Sequence, residues 1–122
     1  MRRVTGLLIS VSLLISLTPH AYAHSTLVSS NPASGAILNS APTRVSLTFN
    51  EKLLIISGKN PNSLQVTSMT GDSPIVGPLV IVGNKISVPL KSKPQKGRFK
   101  ISYRVVSADG HPIQGSFFFS IK

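Results

Sequence analysis

Two histidines and three carboxylates are the residues in this chain best suited to chemistry. His24 directly follows Ala21-Tyr22-Ala23, a small-x-small sequence of the kind a signal peptidase cuts. If cleavage follows Ala23, His24 carries a free α-amine beside its imidazole. Amine and Nδ1 can then close a six-membered chelate ring on one metal ion. An internal histidine cannot do this, because its backbone nitrogen is an amide. Both donors must lose protons to bind, with reference pKa values of about 7.7–8.0 and about 6.5, so acid weakens such a site. Far along the chain, Asp109-Gly110-His111 sets a carboxylate and a second imidazole two residues apart. On an extended segment, i and i+2 point to one side, and Gly110 permits unusual backbone angles between them.

Three nitrogens and one oxygen in a plane make a tetragonal environment, suited to Cu(II) or Ni(II). The Irving–Williams order favours copper over zinc there. An incidental N-terminal histidine and a hydrogen-bonded Asp-Gly turn are the plain alternatives. The chain has no cysteine, which excludes a thiolate site and a cysteine nucleophile.

The elements that must position these residues read as strands. Arg44–Phe49, Leu64–Thr67, Lys85–Leu90, Phe99–Val105 and Ser116–Ile121 alternate polar and apolar residues with period two. Turn residues separate them, as in Asn31-Pro32-Ala33-Ser34-Gly35, Asn60-Pro61-Asn62 and Gly83-Asn84. No stretch carries a helical stripe. Six or seven short strands in about 100 residues predict an all-β, two-sheet antiparallel sandwich, and with no cysteine and no Trp a disulfide-pinned immunoglobulin domain is not indicated. Its core is expected from Val45, Leu47, Phe49, Ile86, Val88, Ile101, Tyr103, Val105, Phe117, Phe119 and Ile121. Glu51 ends one strand and Asp109-Gly110-His111 follows another, so one pole of the sandwich could gather them.

Met1-Arg2-Arg3, the apolar run Gly6–Leu17 and the Ala-x-Ala motif define a secretory signal peptide over residues 1–23. The apolar run is shorter than the roughly 20 residues that span a bilayer. One domain, residues 24–122, remains. Removing Arg2 and Arg3 leaves 11 bases against three acids, a net charge of +8. That surface could attract anionic partners. Aromatic residues are not interleaved with the bases as a nucleic-acid stacking platform requires, so nucleic acid is not expected.

Three stretches resemble the CopC family of periplasmic copper-binding proteins. His24-Ser25-Thr26-Leu27 with Ser30-Asn31-Pro32-Ala33-Ser34-Gly35 is similar to the family's opening. Leu47-Thr48-Phe49-Asn50-Glu51 is similar to its strand end, and Tyr103 to Pro112 (YRVVSADGHP) to its most specific motif. The resemblance implies a seven-stranded, immunoglobulin-like β-barrel or sandwich, a Cu(II) site and a role in copper homeostasis. It assigns Cu(II) to His24 (amine and imidazole), Asp109 and His111. It puts Glu51 near the metal, as an axial group or one that hydrogen-bonds a ligand. It also suggests a monomer in the periplasm that works with an inner-membrane copper-transport protein.

One feature departs from the family. Some members also bind Cu(I) through a methionine-rich loop, since thioethers suit Cu(I). Met69 is the one methionine beyond the leader, so a Cu(II)-only protein is expected. Two other classes compete. An amine with two imidazoles is also the layout of copper oxygenases, but Asp109 would fill the oxygen position. A metal-independent sandwich module for interactions is the third.

Overall fold

Alternation decides the strands. In the computed structural model, which describes residues 26–122, Val45, Leu47 and Phe49 are fully buried while Arg44, Ser46 and Thr48 between them are half-buried. Every second side chain of a strand faces one side, so this pattern permits a single orientation over the core. The proposed leader and His24 lie outside the described residues.

Eight strands form: β1 (Leu27–Asn31), β2 (Ile37–Leu38), β3 (Arg44–Phe49), β4 (Ser63–Ser68), β5 (Val80–Val82), β6 (Lys85–Pro89), β7 (Gly97–Val106) and β8 (Pro112–Ile121). They make two four-stranded sheets, in the orders β1-β3-β6-β5 and β2-β8-β7-β4. All pairings are antiparallel except β2 with β8, which is parallel. The all-β sandwich expected from the sequence is therefore present, with eight strands rather than seven. The strands that periodicity did not mark are β1, β2 and β5. They are short and lie at sheet edges, where no continuous inward face is needed.

The core holds nine of the eleven residues expected there, together with Leu53, Leu64, Val66, Leu90 and Phe99. Tyr103 and Phe117 are only partly buried and pack against it. Phe99 and Phe119, register partners on β7 and β8, stack with ring centroids 5.3 Å apart. Phe49 and Tyr103, from opposite sheets, meet edge-on at 5.6 Å. Among the described residues, no helix is long and apolar enough to cross a membrane.

Strand direction defines two poles. The C-terminal ends of β3 and β7 and the start of β6 lie at one pole, because Thr48 pairs with Lys85 and Val106 with Pro112. The β6–β7 connection and the end of β8 lie at the other.

Candidate metal centre

The β7–β8 hairpin closes through residues 107–111. The Ser107 N–H donates to the His111 carbonyl (3.0 Å) and the Gly110 N–H to the Ser107 carbonyl (2.8 Å). Gly110 has φ +91°, a left-handed value that glycine adopts without Cβ strain. This segment is a turn, not the extended stretch expected from the i, i+2 spacing. Asp109 and His111 still meet, because the turn folds their side chains together.

The His111 Nδ1–H donates to Asp109 Oδ2 at 3.0 Å. The other oxygen, Oδ1, accepts from the Ser107 hydroxyl and from the His111 N–H at 3.3 Å. Ser107 is fully buried. Its oxygen also lies 3.3 Å from the His111 carbonyl, but a hydroxyl has one proton, and the charged carboxylate is the stronger acceptor. These bonds hold the Asp109 carboxyl down at about 2. The Ser107 hydroxyl is the largest cause and the His111 ring the next, against a small opposing effect of burial.

A carboxylate accepts only, so Nδ1 carries the ring proton in neutral His111 and Nε2 keeps its lone pair. His111 is 69% exposed and Asp109 47%. The pair is accessible from solvent. Serine, aspartate and histidine within five residues do not make a hydrolytic triad here. The hydroxyl donates to the carboxylate rather than to the imidazole and is buried, so nothing activates it as a nucleophile.

Asn50–Leu54 leaves β3 and crosses to the second sheet beside this turn. Leu53 makes an antiparallel bridge with Ser107. The Leu54 N–H donates to the Val106 carbonyl (2.8 Å) and the Ala108 N–H to the Lys52 carbonyl (2.9 Å). The buried Leu53 side chain anchors the crossing. Asn62 adds a second pin: its Nδ2 donates to the Leu54 carbonyl (2.8 Å), and its Oδ1 accepts from the Val106 N–H (2.8 Å).

Glu51 sits half-buried on this crossing. It is therefore at the same pole as Asp109 and His111. Even so, no three His, Asp or Glu side chains gather into a metal-sized group among the described residues. The chain enters the pole at Thr26, whose N–H donates to Asn50 Oδ1 (2.7 Å) and whose carbonyl accepts from the Asn50 N–H (3.1 Å).

Asp109 and His111 supply one oxygen and one nitrogen. A tetragonal ion takes more donors than that. Ser107, Asn50 and Asn62 were not singled out from the sequence. Ser107 lies inside the 103–112 motif, and its i, i+2 spacing to Asp109 was the available signal. Asn50 stood in a motif and Asn62 in a turn, but nothing local pointed to their bonds with Thr26 and Val106, 24 and 44 residues away.

A two-sheet sandwich carrying a solvent-facing carboxylate–imidazole turn at one pole is the class of protein that these observations define. The family model described as CopC domain matches residues 27–122, and the chain belongs to that family. The copper resistance protein C of Xanthomonas campestris pv. juglandis is 36% identical over 111 residues, covering 84% of this chain and 83% of that one. The copper transport protein CutJ of Bacillus subtilis is 30% identical over 124 residues, 99% of this chain but 22% of that longer protein. Among solved structures, CopC from Methylosinus trichosporium OB3b superposes with a TM-score of 0.68 at 22% identity, over 81% of this chain and 94% of that one. PcoC from Escherichia coli, a methionine-rich copper resistance protein, gives 0.64 at 23%, over 82% and 100%. At such identities the structural likeness speaks for the fold.

Proposed function

We infer that this protein is an exported Cu(II) carrier, which sequesters copper or delivers it to a membrane transport protein. The observation that carries this reading is the geometry of one pole. The Asp109–His111 pair faces solvent there, and the described chain enters the same pole at Thr26, hydrogen-bonded to Asn50. Two residues of extended chain span at most about 7 Å, and on this proposal that length lets His24 reach the pole from Thr26. In this reading the signal peptide ends at Ala23. The His24 amine and imidazole, His111 Nε2 and an Asp109 oxygen hold Cu(II) in a plane, and Glu51 serves as an axial or hydrogen-bonding group. The copper is cargo, and the domain acts in the periplasm as a binding protein rather than a catalyst.

Relatives named for copper resistance and copper transport support the metal. Restriction to Cu(II) is supported by the methionine content. PcoC is methionine-rich, whereas Met69 is the one methionine between His24 and Lys122. It lies on the β4–β5 turn, at the pole opposite Asp109 and His111, and a single thioether makes a poor Cu(I) site.

The decisive experiment compares two proteins, one beginning at His24 and one with a single extra residue before it. Cu(II) titration and electron paramagnetic resonance are recorded for both. The expected result is a tetragonal signal with nitrogen couplings in the first. The second should bind more than about tenfold more weakly, a loss of about 1.4 kcal/mol. Equal affinity would remove the terminal amine from the site.

A further inference from the structure

The pole opposite Asp109 and His111 carries a different chemistry. The β6–β7 connection and the first residues of β7 run Lys91-Ser92-Lys93-Pro94-Gln95-Lys96-Gly97-Arg98, and the four basic residues of this segment are exposed. Lys122 joins them, because Ile121 pairs with Gly97 at the end of β8. The Arg98 guanidinium rests 3.8 Å from the centroid of the Phe118 ring. Asp72 is the one acid at this pole. The other two, Glu51 and Asp109, are at the far pole, about 26 Å away along the eight-residue step from Arg98 to Val106. A Debye length of about 8 Å at physiological salt separates the two poles electrostatically. Lys91, Lys93, Lys96, Arg98 and Lys122, set against Asp72, therefore act as a local +4 cluster rather than as part of a diffuse net charge.

Large apolar side chains are exposed at the same pole, among them Met69, Ile37 and Val76. Met69 is 59% exposed on the β4–β5 turn, and Ile37 is 65% exposed on β2, opposite Ser120. Apolar residues among lysines suit the interface of an anionic bilayer: the ammonium groups meet lipid phosphates while the apolar tips enter the headgroup boundary. A nucleic-acid partner is disfavoured, because no aromatic side chain projects as a stacking platform. We propose that the Lys91–Arg98 loop, with Lys122, Met69 and Ile37, is a docking surface for anionic phospholipid. It holds the protein on a bilayer with the Asp109–His111 pole turned away from the membrane. This inference rests on the distribution of charged and apolar side chains and is independent of copper.

The test uses protein produced from the full chain, with vesicles of phosphatidylcholine alone or containing phosphatidylglycerol. Sedimentation measures the preference for anionic over zwitterionic vesicles in wild type, in Lys93→Glu/Lys96→Glu, and in Lys59→Glu/Lys85→Glu. The two variants change net charge equally, and all three proteins share one N-terminus, so any effect of either cancels. The expected result is an anionic preference in wild type that weakens with salt. It should fall at least about twentyfold in the first variant and far less in the second. Thermal unfolding of each variant checks that it folds. Equal losses in the two variants would reduce the effect to net charge and overturn the proposal. So would retention of the preference by the first variant. A wild type indifferent to anionic lipid would also overturn it, leaving an acidic protein as the partner for this pole.

Discussion

His111 turns one ring nitrogen to solvent because Asp109 engages the other, and Asp109 is in turn held by Ser107. The buried hydroxyl is thus two hydrogen bonds removed from any ligand at Nε2. Ser107→Ala is expected to cost about 1–3 kcal/mol in denaturant unfolding, since it removes a buried bond to a charged acceptor. It should also weaken Cu(II) binding by roughly tenfold or more, the usual effect of losing a group that orients a metal ligand. Unchanged affinity would make the hydroxyl purely structural. The same bonds set the acid behaviour. A carboxyl depressed to about 2 in the folded protein, against about 3.9 in an unfolded chain, stabilises the fold fully above about pH 4. That contribution is lost as pH falls through 2. Carboxyl carbon NMR should show Asp109 titrating near 2 in wild type and moving upward in Ser107→Ala. A midpoint near 4 in wild type would refute the hydrogen-bonded arrangement.

At the scale of elements, the β7–β8 hairpin and the Asn50–Leu54 crossing form one unit, and the hairpin's aromatic packing helps to fix it. Tyr103 lies over Gly115, its register partner on β8. A Cβ added at Gly115 would lie 2.7 Å from the Tyr103 Cζ. Gly115→Ala must therefore push the ring aside and disturb its edge contact with Phe49. The expected cost is about 1–3 kcal/mol, the range for overpacking, with altered Tyr103 ring shifts in NMR spectra. A variant as stable as wild type would mean that the ring moves freely. The crossing shows why one pole collects function. β3 ends in the first sheet and its continuation bonds to the second, so Glu51 and the Asp109–His111 turn share a rim although they are more than 50 residues apart.

For the whole molecule, the core must hold both sheets together without a disulfide and, among the described residues, without a helix. Phe49 is fully buried and reaches across to Tyr103. Phe49→Ala is expected to cost about 3–5 kcal/mol. Total stabilities are about 5–15 kcal/mol, so a large share of the protein would unfold at moderate temperature, visible as a drop in Tm by circular dichroism. A change below about 1 kcal/mol would show that the sheets do not depend on this contact. The molecule is also polarised: two of its three acids lie at the Asp109–His111 pole, and its densest run of bases lies at the other.

Much of this was legible in one dimension. Period-two alternation marked β3, β4, β6, β7 and β8, because a half-buried strand must place apolar residues at every second position. The spacing of Asp109 and His111 pointed to their meeting, though through an extended segment where the chain forms a turn. Edge strands β1, β2 and β5 escaped notice, because little of their surface is buried and no pattern is imposed on them. Residue types alone thus determined the sandwich class and the core face of each long strand, and drew attention to Asp109 and His111. Tertiary structure decided the rest: the turn in place of an extended segment, the Ser107 hydroxyl on the carboxylate, and the meeting of Thr26, Asn50 and Ala108 at one pole. The Ser107–Asp109 bond is local but forms only once the turn has closed, whereas the meeting at the pole joins segments far apart in the chain largely through backbone groups, which are alike in every residue and leave no trace in side-chain periodicity.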